Sequence, residues 1–260
     1  MRNHVLTLGA LLLLACTGGA LADGIPQAQQ AMSQVNSARL EIDGGRLPRA
    51  VELLESAGTL VPDWLVPHQW LAVVYQRQGQ KELAIAQYAL LQRKSYDFDL
   101  NGRANPPGTT DLVISCEALT LWLINDTRMQ QSLPVLRCEP QLSVVARGHS
   151  LEMRDLAYFD HDSPTAGERE PLDRFRNVFC FLPSYLAENI AKRWGPAPSL
   201  DLQNTTTIHE DFLKSPGHRA NLLCCEVDCF GVGVATNAEG AYWLTEEFAK
   251  YAPATARAGS

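Results

Sequence analysis

The segment HEDFLKSPGHRANLL, His209 to Leu223, joins two helical patterns through a sharp break. The break is Ser215-Pro216-Gly217, because proline disfavours helix in the residue before it and glycine permits a reversal. We predict a short helix before the break and a second helix that begins at His218. The turn and the unpaired backbone N–H groups of a helix start would fix this imidazole, which favours ligand or metal binding over core packing.

Four other segments flank this one in a fixed order. YFDHDSP (158–164) and AENIA (187–191) precede it, and FGVGVA (230–235) and AYWLTEEF (241–248) follow it. With LWLINDTR (121–128) and LSVVARGHSLEM (142–153), these segments resemble the CAP superfamily, most closely its bacterial SCP-domain branch. The resemblance covers residues 111–251, about half of the chain. It implies an α+β fold in which a three-layer α-β-α sandwich forms the C-terminal domain.

The resemblance also implies a wide cleft lined by two histidines and two acids, with a divalent metal such as zinc on the histidines. The histidines fall on His161 and His218, and the first acid falls on Glu188. The second acid does not transfer: its position is occupied by Ser215, and Glu210, farther upstream, is only a candidate substitute. The implied activity is mainly binding of lipids, ions or protein partners.

The residues themselves support parts of this site. His161 follows a helical pattern and precedes Asp162-Ser163-Pro164, so a loop presents its ring. Glu188 is surrounded by apolar residues, and a buried carboxylate needs an imidazolium, a metal or backbone donors as partner. The alternative is a glutamate that only braces a loop or helix start. His149 lies on an apolar stripe and is predicted to be a hydrogen-bonded core residue.

Two enzymatic hypotheses remain open at this point. Two imidazoles and a carboxylate could bind zinc with an open position, which would lower the pKa of a bound water. The alternative function is therefore a zinc-dependent hydrolase or peptidase of the cell envelope. Ser215 could also act as a nucleophile with His218 as base, but Ser-Pro-Gly is ordinary turn composition and no oxyanion loop is recognisable. The missing second acid favours binding over catalysis.

The N-terminus predicts export. A basic start, an apolar run from Val5 to Ala15 and Ala20-Leu21-Ala22 form a signal peptide over residues 1–22, too short for a lasting membrane span. The mature protein is then secreted or periplasmic. Leu13-Leu14-Ala15-Cys16 also resembles a lipoprotein box, so anchoring through Cys16 is the alternative.

The cysteine count agrees with an oxidising compartment. Apart from Cys16, six cysteines remain, which allow up to three disulfides in 15 full pairings. A zinc site formed by Cys224, Cys225 and Cys229 is the alternative, although the spacing of these residues fits no zinc ribbon or finger. The six disulfide candidates are Cys116, Cys138, Cys180, Cys224, Cys225 and Cys229.

An internal repeat of 34 residues precedes the CAP-like region. Gly45 and Gly79 are one period apart, as are Ala50 and Ala84. This period resembles tetratricopeptide repeats, with a turn glycine between two helices and a small alanine where they touch. We predict an all-α pair of helical hairpins over residues 28–95 that either spaces the chain or grips a protein or peptide partner. Residues 96–110, rich in Pro, Gly and Asn, form the predicted linker.

The chain is acidic, and the remaining patterns predict helices and a hairpin in its C-terminal domain. The net charge is −7 with a pI near 5.4 and no Lys/Arg cluster, which argues against nucleic acid as a partner. Helices are predicted over 112–129 and 142–158. A hairpin follows, in which Gly231 and Gly233 leave one strand face bare for close helix packing. Residues 252–260 have the composition of a disordered tail.

Overall fold

The structure, a computed structural model, describes residues 21–98, 100, 102–195 and 200–251. Cys16, most of the predicted signal and the tail 252–260 lie outside the described residues. The chain forms two compact units, one ending at Pro67 and one beginning at His68. The division therefore falls ahead of the predicted linker 96–110. No helix among the described residues is both apolar enough and long enough to cross a membrane.

Two helical hairpins with equivalent turns precede the sheet. The first consists of α1 (Leu21–Asp43) and α2 (Leu47–Leu60), and the second of α3 (Val66–Arg77) and α4 (Lys81–Ser95). The boundary between the two units falls within the first turn of α3. Gly45 and Gly79 have φ values of 73° and 70° in these turns, a region that favours glycine. The helical repeat thus forms as predicted, and its tetratricopeptide character stays a prediction.

A four-stranded sheet organises the rest of the second unit. Its strands are β1 (Arg137–Cys138), β2 (Pro183–Arg193), β3 (Cys229–Thr236) and β4 (Tyr242–Tyr251) in the order β1-β3-β4-β2. The predicted hairpin is confirmed as β3–β4, and β2 pairs antiparallel with β4. β2 is missing from the sequence prediction, which treated its residues as a loop or helix start.

Helices cover both faces of this sheet. The helix α6 (Pro140–Asp155) lies directly on the bare face of β3, because a Cβ on Gly233 would overlap the backbone of Arg147. Close packing of a helix on this glycine face is therefore confirmed. The opposite face packs against α4, α5 (Thr110–Gln130) and α8 (Leu202–Lys214), as in the edge-on contact of Phe230 with Tyr88. The smaller helices α7 (Pro171–Val178) and α9 (Pro216–Leu222) complete the unit.

Side chains cap the edge of β3 beyond the short strand β1. The backbone N–H groups of Val232, Val234 and Thr236 donate to Ser143 Oγ, Glu117 Oε1 and Asn105 Oδ1, at 3.2, 2.9 and 2.8 Å. These caps satisfy backbone donors that an edge strand otherwise leaves open. Asn105 belongs to the predicted linker, so this segment is part of the folded unit.

The predicted disulfides are not formed among the described residues. All six cysteines are free thiols. Cys116, Cys138 and Cys229 are buried on α5, β1 and β3, where they pack as small apolar side chains. Cys180 and Cys225 are exposed, and Cys224 is half-buried. The alternative zinc site is absent too, since no three Cys, His, Asp or Glu side chains in the described part of the chain are grouped for a metal ion.

Candidate functional site

His161 lies in the loop after α6, as the sequence predicts. Its Nδ1 is 2.8 Å from Glu188 Oε1, and its side chain is 49% exposed. A carboxylate only accepts hydrogen bonds, so Nδ1 is the donor. This hydrogen bond from His161 to Glu188 raises the pKa of His161 above its ordinary value of 6.5, although burial opposes it. The outer nitrogen, Nε2, is left without a described partner.

Glu188, on β2, is the anionic centre of the site. Its side chain is 2% exposed, and its second oxygen accepts a 2.7 Å hydrogen bond from Arg174. Burial raises the pKa of Glu188, but the hydrogen bond from His161 and the charges around it outweigh burial and hold that pKa below the ordinary value of 4.5. Glu188 is therefore a charged, fully partnered carboxylate. Each oxygen already accepts a hydrogen bond from a side chain, and the role of Glu188 as a metal ligand stays a prediction.

Arg174, on α7, is a site residue that sequence reasoning missed. One of its terminal nitrogens bonds Glu188, and the other donates to the carbonyls of His161, Glu168 and Arg169 at 3.0–3.1 Å. It thus ties the His161 loop to the sheet. Its position was hidden because residues 162–186 appeared loop-rich. The overlooked signal was Glu170-Pro171, a helix start with a capping box.

His218 occupies the first turn of α9. The helix begins at Pro216, not at His218 as predicted, because proline suits the first helical position. His218 Nδ1 is 2.9 Å from Ser215 Oγ, and the ring packs on Phe212 with centroids 4.6 Å apart. Burial and the positive charge of His161 lower the pKa of His218. The ring is therefore neutral at pH 7.

Two asparagines attach the His218 segment to β2 beside Glu188, the partner of His161. Asn189 Nδ2 donates to the carbonyl of His218 at 3.3 Å, and Asn221 Nδ2 donates to the carbonyl of Glu188 at 3.1 Å. Neighbouring residues of a strand point to opposite faces. His161, through Glu188, and His218, through Asn189, therefore flank the edge of the sheet from its two sides.

Glu210 does not take the place of the missing second acid. The buried face of α8 consists of Thr205, Ile208, His209 and Phe212, and Glu210 is exposed outside it. It has no described contact with His218. Ser215 contacts His218 through Nδ1, and no carboxylate in the described chain binds Nε2 to complete a catalytic triad.

His149 is a buried core histidine, which confirms the prediction. Its Nε2 is 3.1 Å from the carbonyl of Asp160, and its Nδ1 is 3.3 Å from the hydroxyl of Tyr158. Tyr158 in turn donates to Glu152 at 2.6 Å. The network supports the chain on the N-terminal side of His161.

Two further acids, Glu246 and Glu247, lie buried on β4, and their burial was not predicted from the sequence. Glu247 stands opposite Glu188 in the strand register and is fully buried. Burial and the charge of Glu188 raise the pKa of Glu247 well above its ordinary value. Glu246 lies on the other face, accepts from Asn189 at 3.0 Å, and has a pKa raised by burial to about 8. Two consecutive acids in a central strand were the available signal.

Glutamine in place of Glu246 is expected to raise the free energy of unfolding at pH 7, by on the order of 2 kcal/mol. Folded Glu246 keeps its proton up to about pH 8, while the unfolded residue ionises near its ordinary value of 4.5. The folded wild type therefore binds the extra proton and loses stability as pH rises through this window. E246Q lacks this loss.

Urea unfolding of wild type and E246Q at about pH 4 and about pH 7 measures the difference. We expect similar stabilities at the lower pH and a more stable variant at the higher one. The matched control is Glu226→Gln, because Glu226 is exposed. A pH dependence of E246Q identical to that of wild type would show that Glu246 ionises normally.

The two imidazoles fit a metal ion better than the acids do. Metal-binding histidines usually have their other ring nitrogen held by a carboxylate, a carbonyl or water. Glu188 holds Nδ1 of His161 and Ser215 holds Nδ1 of His218, which leaves the two Nε2 atoms to face a ligand. At His161, whose pKa is raised, a metal ion would have to displace the Nε2 proton. No group of three His, Cys, Asp or Glu side chains in the described residues could hold a metal ion, so water would have to complete the coordination of a metal on these two rings.

Comparison with known proteins bears out the family resemblance. Residues 121–248 match the model of the family described as CAP, the cysteine-rich secretory protein family. The uncharacterized protein YkwD of Bacillus subtilis (strain 168) is 32% identical over 136 residues. That alignment covers 52% of this chain and 48% of YkwD, so the chain spans about half the length of the curated relative it matches.

Several solved structures are similar to this chain, including the three that follow. An extracellular protein with an SCP domain from Bacillus anthracis is 29% identical, with a TM-score of 0.46, and covers 57% of this chain and 45% of that chain. An outer surface protein of Borrelia burgdorferi is 16% identical, with a TM-score of 0.44 and coverages of 51% and 90%. A cysteine-rich secretory protein of Staphylococcus aureus is 18% identical, with a TM-score of 0.37 and coverages of 56% and 40%.

Proposed function

We propose that this chain, whose residues 121–248 match the CAP family model, is an exported, non-catalytic binding and scaffold protein. Its cleft at His161 and His218 binds a metal ion, a lipid or another small ligand. Its helical repeats position a protein or peptide partner. The signal pattern of residues 1–22 supports a secreted or periplasmic location, and a lipid anchor at Cys16 is the alternative.

The observation that carries this proposal is the way both histidines are held. Each ring is fixed through Nδ1, by Glu188 or by Ser215, and each offers Nε2 to a ligand. Because the two rings are already held in one orientation, binding of a ligand to their Nε2 atoms costs less conformational entropy. The neutral state of His218, which follows from its lowered pKa, suits a metal ligand.

Binding fits this site better than catalysis does. A general base needs an accessible group, but Glu188 has both oxygens engaged and Glu210 is exposed elsewhere on α8. A zinc ion could lower the pKa of a bound water, so a zinc-dependent hydrolase of the cell envelope stays the second candidate. Catalytic zinc sites usually have three protein ligands, and the described residues contain no group of three His, Cys, Asp or Glu side chains that could hold a metal ion.

We expect zinc to bind saturably to the wild-type protein in calorimetric titration. His161→Ala and His218→Ala should each weaken binding at least about tenfold, because each removes a direct ligand. Ser215→Ala should weaken it by about tenfold, since the ring of His218 would lose the group that orients it. Turnover of peptidoglycan or casein by the zinc-loaded protein would favour the hydrolase.

The matched control for this titration is His68→Ala. His68 is partly buried on α3, where its Nδ1 contacts Gln87 at 2.9 Å, so its loss should leave zinc binding unchanged. A double variant His161→Ala/His218→Ala with wild-type zinc affinity would overturn the metal part of the proposal.

A further inference from the structure

The two edges of the sheet differ in how their backbone groups are satisfied. The edge of β3 is capped by side chains at Val232, Val234 and Thr236. The edge of β2 has no backbone partner among the described residues, and one side-chain bond, from Asn221 to the carbonyl of Glu188, is made there. An uncovered edge strand is a template for pairing with another chain.

The unpaired groups of β2 can be located from this one bond. Because Asn221 reaches the Glu188 carbonyl, that carbonyl faces away from β4. Backbone groups alternate in direction along an antiparallel strand, so Ile190 and Lys192 present their N–H and C=O groups to the same open edge. The open stretch therefore runs toward the end of β2 at Arg193.

A groove of about 370 Å³ lies beside this stretch, between the end of β2 and α8. Ile208 and Phe212, both 4% exposed, contribute apolar surface to it. At its β2 side, Trp194 is 72% exposed. Exposed tryptophans are frequent anchors in protein interfaces. Residues Ala191, Lys192, Arg193 and Asp211 complete the lining.

The charge of the groove is opposite to that of the whole chain. Asp211 accepts from Arg193 at 2.6 Å and from Lys214 at 3.2 Å. The groove lining thus contains two basic side chains, Lys192 and Arg193, and one acid, Asp211, and Lys214 borders it through Asp211. The whole chain, by contrast, has a net charge of −7. A local positive region of this kind attracts an acidic partner.

We propose that an extended acidic peptide adds as a strand to the open edge of β2, with apolar side chains seated between Trp194 and α8. Main-chain hydrogen bonds to Ile190 and Lys192 would give affinity, and the groove would select the side chains. The groove adjoins the proposed cleft, because Phe212 packs on His218. This inference goes beyond the small-ligand function and does not rest on metal binding.

The test uses a fluorescent, end-blocked heptapeptide of alternating glutamate and valine, and follows its anisotropy with the full chain in the presence of EDTA. We expect saturable binding that weakens at least about tenfold when alternate peptide nitrogens are methylated, since these lose their hydrogen bonds. Trp194→Ala and Lys192→Glu should each weaken it by about tenfold. Lys81→Glu, a charge change on α4, should leave it unchanged.

Several results would overturn the inference. These are no saturable binding to the folded protein, equal binding of the methylated peptide, equal binding of a lysine–valine peptide, or wild-type affinity in Trp194→Ala. Circular dichroism of each variant checks that it is folded. Because Trp194 is exposed, its replacement by alanine should leave the fold intact. Because EDTA removes metal from this assay and the zinc titration contains no peptide, failure of one proposal is distinguishable from failure of the other.

Discussion

Alanine in place of Arg174 is expected to lower the free energy of unfolding by about 3 kcal/mol, because the buried Glu188 carboxylate keeps only the half-exposed His161 as a hydrogen-bond partner. The Arg174 and Glu188 side chains are 5% and 2% exposed and lie 2.7 Å apart. The substitution also removes three hydrogen bonds to the carbonyls of the His161 loop. Urea unfolding at pH 7 measures the loss.

Arg169→Ala is the matched control for this variant. Arg169 pairs with Asp162 at 3.3 Å, but the two side chains are 72% and 51% exposed, so its loss should cost less than about 1 kcal/mol. Adding Glu188→Gln to Arg174→Ala should recover part of the stability, since no unpaired charge remains. Similar losses for Arg174→Ala and Arg169→Ala would contradict a buried, charge-paired Glu188.

Alanine in place of Gly233 is expected to cost at least about 3 kcal/mol, or to prevent folding, because the added methyl group overpacks the contact between β3 and α6. The overlapping atoms belong to the backbone of Ala146 and Arg147. A backbone cannot rotate away as a side chain can, so the helix itself must move off the sheet. Thermal unfolding followed by circular dichroism measures the effect.

Gly217→Ala provides the control for the same chemical change. Gly217 lies in α9, and an added Cβ would have no heavy atom within 4 Å outside its own helix turn and neighbours. Alanine favours helix over glycine by about 1 kcal/mol, so this variant should be as stable as wild type or slightly more stable. A Gly233→Ala protein with the wild-type melting temperature would show that α6 is not seated on β3.

Local pattern was sufficient to predict the hairpin and the glycine face. In β3, bulky residues alternate with Gly231 and Gly233. This period of two predicts a strand with one bulky face and one bare face, on which a helix can pack closely. The repeat of Gly45 and Gly79 predicted two equivalent turns for a similar reason, because a left-handed conformation requires a particular residue type.

The surroundings of the histidines were less predictable from sequence. Glu188 lies in β2, yet AENIA has no strict alternation, since both faces of that strand meet other elements at this point. The partnership with Arg174 depends on the tertiary position of a short helix, which no spacing in the sequence specifies. Glu210 was a reasonable substitute acid by distance along the chain, but the helical period of α8 turns it to solvent.

The convergence of His161 and His218 on one ligand is tested most directly by the ring nitrogen resonances of histidine-labelled protein during zinc addition. We expect the Nε2 signals of both rings to shift together, with one midpoint, while the buried rings of His149 and His209 stay unchanged. A shift at only one of the two rings, or at neither, would contradict a shared site.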